Sequence, residues 1–221
     1  MTRPEASGEI GDPAVLRARL QHVYWIGGGP CAGKSTIARR LAAQHGLHLY
    51  ATDDAMGDHA RRSAPEDVPF LSAFAGMDMD ERWVNRSPEI MLETFPWFRG
   101  EGFGLIVEDL LGLPAETGVI AEGFRLLPHL VKPLLAVTYH AVWLLPTAEF
   151  RQAAMDGRGN GWALPRTSDP DRARRNLAER DRMFTDRLSK ETMRLDLPVI
   201  EIDAGMSEDE LASQVTQAFG L

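Results

Sequence analysis

Residues 28–35 read Gly-Gly-Pro-Cys-Ala-Gly-Lys-Ser and match the pattern G-x-x-x-x-G-K-[ST] at every fixed position. A β-rich stretch at 22–26 precedes them, and apolar residues at helical spacing follow from Ser35. Backbone N–H groups of such a loop point at phosphate oxygens, which requires backbone angles that glycine adopts easily. The following helix adds its positive N-terminal end. The stretch therefore predicts a phosphate-binding loop between a buried strand and a helix.

Two side chains of this loop are expected to act on a nucleotide directly. Lys34 can reach the β- and γ-phosphates as a compact charge, and the Ser35 hydroxyl can ligate Mg²⁺. Only three of the 24 basic residues are lysines, so a lysine here is a rare choice. The loop thus predicts ATP and Mg²⁺ as cofactors. The expected nucleotide-binding residues are Gly28, Gly29, Pro30, Cys31, Ala32, Gly33, Lys34, Ser35 and Thr36.

The pattern beyond the loop predicts an α/β fold. Further strand signals lie at 47–51, 118–121, 137–145 and 198–202, separated by helical patterns. Alternating strands and helices imply a parallel sheet of about five strands with helices on both faces. Residues 55–116 carry no strand signal over most of their length and are expected to form a helical insertion.

Two aspartates follow the second predicted strand, where ligands of parallel sheets bind. Either Asp53 or Asp54 can accept the proton of an attacking hydroxyl or orient it, and the pattern leans towards Asp53. The alternative is that one of them caps the helix that follows.

A second carboxylate site is predicted at Glu122, which ends the third strand and precedes a glycine turn. Glu122 is expected to support Mg²⁺ or its water shell, and Arg125 to contact substrate or phosphate. The competing acidic pair, Glu108 and Asp109, is expected on a solvated helix face, because Ile106, Val107, Leu110 and Leu111 recur at helical spacing.

Arginines crowd residues 151–185, which we interpret as a lid region. A mobile loop is predicted at 151–169, followed by a helix from Asp169-Pro170 to about residue 195. An arginine that closes over the transferred phosphoryl group lowers the barrier to transfer. Most of these arginines are expected on a solvated helix face. The candidates for the lid are Arg158, Arg166 and Arg175.

The loop at 28–35 resembles that of the P-loop kinases of small molecules, the group of shikimate kinase, gluconate kinase, chloramphenicol phosphotransferase and adenylate kinase. The stretch 122–125, Glu-Gly-Phe-Arg, is similar to the Asp-Gly-Phe-Pro-Arg of adenylate-kinase-like enzymes, with Glu for Asp and no proline. The resemblance implies a P-loop NTPase three-layer sandwich formed by a single domain over residues 1–221. It also implies an acceptor site over the insertion 55–116, an arginine-bearing lid, and an acceptor-binding aspartate at the position of Asp53 or Asp54.

Other side chains of the insertion can line an acceptor pocket, although most are expected at the surface or in the core. They are His59, Arg61, Arg62, Trp83, Arg86 and Trp97.

The composition limits the classes of partner and the cellular location that we expect for the protein. The net charge of −8 disfavours nucleic acid as a partner, and no apolar run approaches the ~20 residues of a membrane span. The polar N-terminus lacks a signal-peptide core, and Cys31 is the single cysteine. These features favour a cytoplasmic protein. The sequence carries no signal for the oligomeric state.

The leading hypothesis is an ATP-dependent kinase that phosphorylates a hydroxyl of a small molecule, such as a sugar acid, a cyclitol or a natural product. A nucleoside or nucleotide kinase is the first alternative. A regulatory P-loop ATPase that switches a protein partner is the second. An RNA-end kinase is disfavoured by the acidic charge.

Overall fold

One sheet contains five parallel strands, β1 (Val23–Gly28), β2 (His48–Ala51), β3 (Val119–Glu122), β4 (Ala141–Pro146) and β5 (Val199–Ile202), in the order β2-β3-β1-β4-β5. The structure is a computed structural model that describes residues 12–157 and 166–221. The elements in chain order are α1 (Pro13–Arg19), β1 (Val23–Gly28), α2 (Lys34–His45), β2 (His48–Ala51), α3 (Met56–Arg62), α4 (Pro69–Gly76), α5 (Pro88–Thr94), α6 (Phe103–Leu111), β3 (Val119–Glu122), α7 (Pro128–Val131), β4 (Ala141–Pro146), α8 (Ala148–Gly157), α9 (Pro170–Arg194), β5 (Val199–Ile202) and α10 (Glu208–Phe219).

Helices cover both faces of the sheet, as predicted. Successive residues of β1 point to opposite faces. Trp25 packs into a cluster with residues of α6, α7 and α9, whereas Ile26 packs into a second cluster with α2 and α10. Because both faces are buried, the central strands read as continuous apolar runs rather than as alternating ones.

The register shows which segments leave the sheet at the same edge. In the hydrogen-bonded ladders, Glu122 at the end of β3 lies opposite Ile26 of β1 and Ala51 of β2. The phosphate-loop sequence follows β1, and the two aspartates follow β2. All three segments therefore leave the sheet at the same edge.

Two predictions about segment boundaries were wrong. The fourth strand begins at Ala141 and not at residue 137, because Thr138–His140 form a helical turn and pairing with β1 begins at Ala141. The predicted loop at 151–169 is helical at its start, since α8 extends to Gly157. Helix α9 begins after the N-cap Asp169 and ends at Arg194, as predicted.

The segment between β2 and β3 is helical. Besides α3 to α6 it contains a π-helical turn at Glu81–Asn85 and a 3₁₀ turn at Pro96–Arg99. The apolar stripe at Ile106, Val107 and Leu110 is buried, which confirms the helical interpretation of this stretch over the strand.

Candidate functional site

The loop after β1 has an unusual backbone. Gly28, Cys31 and Gly33 all have positive φ, at 133°, 63° and 72°. A Cβ on Gly28 would lie 2.1 Å from the carbonyl oxygen of Leu144, so the loop also needs glycine here for space. The chain can therefore turn tightly from the central strand into α2.

Lys34 lies inside this loop. Its side chain is buried, and its Nζ donates a hydrogen bond of 2.7 Å to the carbonyl oxygen of Gly29. The N-cap of α2 is Gly33, which offers no side-chain acceptor to the first N–H groups of the helix. A cation and a helix N-terminus thus meet within one loop, a combination that favours anions.

Glu122 faces the loop from β3. It is 3% exposed and lines the same cavity as Ser35 and Lys34. Burial raises the pKa of Glu122, while the Ser35 hydroxyl and the charge of Lys34 act in the opposite direction. The predicted metal-supporting pair, Ser35 and Glu122, therefore lies in the lining of one cavity.

Asp53 is the aspartate that reaches the same cavity. It lines the cavity together with Lys34 and Glu122, whereas Asp54 is not among the lining residues. Water still reaches Asp53, but the surrounding walls reduce its hydration and raise its pKa, against the opposing charges of Lys34 and Arg125. The Thr52 hydroxyl lies 3.5 Å from its Oδ1.

Arg125 lies behind this edge rather than in the cavity lining. It is 2% exposed and donates hydrogen bonds of 3.2 Å to the carbonyl oxygens of Thr52 and Gly102. Burial lowers the pKa of Arg125 to about 10, so the guanidinium stays charged at neutral pH. Its observed contacts join the end of β2 to the insertion. The substrate contact predicted for it stays a prediction.

The arginine of α9 that lines the cavity is one that the sequence did not single out. Arg180 lines the cavity and is 5% exposed. Arg166 and Arg175 are exposed and are not among the lining residues, and Arg158 lies outside the described residues. A role for these three in a lid stays a prediction. Burial of an arginine on the inner face of α9 follows from contacts with the insertion, which periodicity does not reveal.

The loop, Asp53, Glu122 and Arg180 all line one cavity of about 620 Å³. Residues 30–36 of the loop, Asp53 and Glu122 form one part of its lining. The remainder is formed by Met56, Trp83, Phe95, Phe98, Phe124, Leu177, Arg180 and Asp181. Its volume is in the range of small-molecule sites.

The other polar candidates of the insertion serve its packing. Asp109 accepts hydrogen bonds from Tyr50 at 2.7 Å and Arg62 at 2.8 Å, and its carboxylate lies 2.7 Å from His59 Nε2. Asp109 is therefore partly buried and bonded, not on a solvated face as predicted, whereas Glu108 is exposed and paired with Arg62.

Of the remaining insertion candidates, Arg61 is exposed and Trp97 is buried in the core. Arg86 is buried and bonded to two backbone carbonyls and Thr94. Trp83 alone of the six lines the cavity.

Within residues 12–157 and 166–221, no group of three or more His, Cys, Asp or Glu side chains could hold a metal ion by itself. The same residues contain no helix long and apolar enough to cross a membrane. Comparison of the chain with models of protein families and with curated proteins found no match in either case.

Proposed function

We propose that this protein is an ATP-dependent phosphotransferase that moves the γ-phosphate to a hydroxyl group of a small molecule. One observation carries the proposal: the phosphate-loop sequence, Glu122 and Asp53 all line a single cavity. That cavity extends beyond the loop into space formed by the insertion and α9. This additional space offers room for an acceptor beside the triphosphate.

The loop residues have distinct roles in this proposal. Lys34 and the backbone of residues 28–35 bind the β- and γ-phosphates and offset the charge that develops during transfer. The carbonyl of Gly29 now accepts from Lys34, and a phosphate oxygen would compete for the same ammonium.

Ser35 and Glu122 supply oxygen ligands of the kind that Mg²⁺ prefers. They line one cavity together with Lys34, which fits a metal held mainly by nucleotide phosphates. When bound, Mg²⁺ would neutralise phosphate charge and orient the triphosphate.

Asp53 acts as the base for the acceptor. Its carboxylate accepts the hydroxyl proton while the hydroxyl oxygen forms a bond to the γ-phosphorus. The bond from that phosphorus to the bridging oxygen breaks, and ADP leaves with the bridging oxygen. The raised pKa of Asp53 makes it a stronger base than a fully hydrated aspartate.

The proposal is tested by measuring ADP formation with Mg²⁺ and ATP across small alcohols, sugar acids, cyclitols, nucleosides and nucleotides. We expect strong stimulation by one acceptor class. Slow hydrolysis that no acceptor stimulates would favour the regulatory ATPase instead, and stimulation by nucleosides or nucleotides alone would favour the first alternative.

Asp53→Asn is expected to lower kcat by at least about a hundredfold with little change in the Kd of ATP. In the wild type, kcat should fall with decreasing pH on a limb that lies above 3.8, the ordinary pKa of aspartate, because the pKa of Asp53 is raised. Asp54→Asn is the matched control. If both variants keep normal turnover, Asp53 is not the base.

A further inference from the structure

Aromatic rings form a large part of the cavity lining. Trp83, Phe95 and Phe124 line it and are each only half-buried, so their rings keep surface available to a ligand. Phe95 packs edge-on against Phe98, with ring centroids 4.7 Å apart. The ring centroids of Phe95 and Phe124 are 6.3 Å apart. We call Trp83, Phe95, Phe98 and Phe124 the aromatic wall.

Arg180 lies against the aromatic wall. Its guanidinium carbon is 4.7 Å from the ring centre of Phe95, 5.2 Å from that of Phe98 and 5.6 Å from that of Trp83. Its Nε and Nη2 both donate to Asp181 Oδ1, at 2.9 and 2.6 Å. The charge of this buried arginine is therefore already balanced.

Among the residues that the structure describes, two buried donors at the aromatic wall find no hydrogen-bond partner: Nη1 of Arg180 and Nε1 of Trp83. An unsatisfied buried donor is costly, and native proteins contain few of them. Both groups only donate. A ligand that satisfies either one must supply an acceptor atom, and because Asp181 already balances Arg180, that atom needs no negative charge.

Arg180 is positioned by the insertion and α9. The rings that it contacts belong to the insertion, and its carboxylate partner is its neighbour on α9. Arg180 thus belongs to the part of the cavity that the insertion and α9 form.

The side chains of this part of the cavity also disfavour sugars. Outside residues 30–36 and the acidic side chains, the described lining consists of aromatic and aliphatic residues and Arg180, with no amide, imidazole or hydroxyl group. A cyclitol or sugar acid would lose many hydrogen bonds to water against such a surface.

We propose that the acceptor is an uncharged aromatic alcohol that carries a carbonyl or ether oxygen. Its hydroxyl lies at Asp53, its ring packs against the aromatic wall, and its oxygen accepts from Nη1 of Arg180. This inference rests on the proposed function, since it names the substrate class of the same site.

The probe for this inference is 4-(hydroxymethyl)acetophenone, compared with 4-ethylbenzyl alcohol, which lacks the oxygen, and with 4-(hydroxymethyl)benzoate, which is charged. Binding is measured in the presence of Mg²⁺ and ADP by tryptophan fluorescence and calorimetry, and ADP formation is measured with ATP. We expect the ketone to bind at least tenfold more tightly than either comparison compound and to stimulate ADP formation. Trp83→Phe, which removes one of five tryptophans, should remove the fluorescence response.

Variants of Arg180 test the hydrogen bond itself. Arg180→Met should weaken binding of the ketone at least tenfold and leave binding of 4-ethylbenzyl alcohol unchanged. Arg180→Lys keeps the charge over the rings but lacks the guanidinium fork, so it should also lose the discrimination, and it decides the test if the Met variant does not fold. The control is Arg182→Met, an exposed arginine of the same helix that pairs with Glu179 and Asp186.

The inference is overturned if inositol or gluconate stimulates ADP formation more than the ketone does, if the benzoate binds most tightly, or if the Arg180 variants bind all probes as the wild type does. In each of these cases the proposed function still stands when an acceptor stimulates turnover. Failure of the proposed function is a different result, namely no uptake of ATP with Mg²⁺ by the wild type, or ATP hydrolysis that no acceptor stimulates.

Discussion

Glu122 is a carboxylate in a place where burial disfavours its charge. It lies in the middle of three paired strands, opposite Ile26 and Ala51, and its nearest compensation comes from the Ser35 hydroxyl and Lys34. These contacts do not fully offset burial, because the pKa of Glu122 remains raised. A charge kept at such a cost to stability is typical of functional sites.

Replacement of this charge should therefore stabilise the protein while reducing its activity. With a raised pKa in the folded state, the ionised form of Glu122 opposes folding above the ordinary pKa of 4.5, and the effect vanishes once the group is protonated. We expect Glu122→Gln to increase the free energy of unfolding at pH 7.5, with a smaller increase at pH 4. Its Mg²⁺-dependent turnover should fall at least about tenfold.

Urea unfolding at the two pH values and an ATP turnover assay measure both effects. Glu201→Gln is the control, because Glu201 is an exposed glutamate on β5. A Glu122→Gln protein that is less stable than the wild type at pH 7.5 would contradict the argument.

The sequence predicted the positions of Lys34, Ser35 and Glu122 because each depends on local information. A glycine loop, the helix that follows it and the end of an apolar strand can all be recognised within about ten residues. Arg180 could not be recognised in this way. Its burial results from packing against Trp83 and Phe95, about ninety residues away in the sequence.

A partly buried carboxylate, Asp109, helps to join the helical insertion to the sheet. Asp109 on α6 binds Tyr50 of β2, and it also binds His59 and Arg62 of α3. Burial alone would raise the pKa of Asp109, but the hydrogen bonds from these three partners outweigh it and lower the pKa. This contact sets the position of α3, which begins at the cavity-lining residue Met56.

We expect Asp109→Asn to reduce the free energy of unfolding by about 2 kcal/mol at pH 7. The amide would place an N–H group against side chains that themselves donate hydrogen bonds. A lowered pKa means that the stabilisation by Asp109 is present above the ordinary value of 3.8 and is lost as the pH falls through the lowered pKa. The difference between variant and wild type should therefore persist at pH 5 and shrink towards pH 2.

Denaturant unfolding at several pH values across this range measures the free energy of unfolding of the variant and of the wild type. Asp58→Asn is the control, because Asp58 pairs with Arg61 and Arg62 at the surface and should change stability by less than about 0.5 kcal/mol. Equal stability of Asp109→Asn and the wild type at pH 7 would show that the network does not hold the insertion.

At the scale of the elements, the apolar stripe of α6 and the N-cap of α9 were predictable from periodicity and capping. The start of β4 was not. Residues 137–140 have β-forming side chains, but hydrogen-bonded pairing with β1 begins only at Ala141, the first residue of β4. Strand ends depend on the partner strand, which a single segment does not encode.

For the molecule as a whole, alternation of strands and helices was enough to predict a parallel sheet covered on both faces. The chemistry of the cavity was not predictable, because the cavity forms where the insertion and α9 meet the end of the sheet. The proposed function thus follows from a local motif, and the proposed acceptor class follows from contacts that only the fold creates.

Nucleotide binding should stabilise the entire fold, because only the folded loop presents its N–H groups and Lys34 together. At a ligand concentration of a hundred times Kd, binding adds about 2.7 kcal/mol to the free energy of unfolding. For a chain of this size, that corresponds to a rise in Tm of roughly 5–10 °C. We expect Mg²⁺ with ATP to produce this rise in the wild type, measured by differential scanning fluorimetry. Lys34→Ala should show almost none of it, whereas Lys190→Ala, which removes an exposed lysine of α9, should keep it. An equal rise in the Lys34 variant would mean that the nucleotide binds elsewhere.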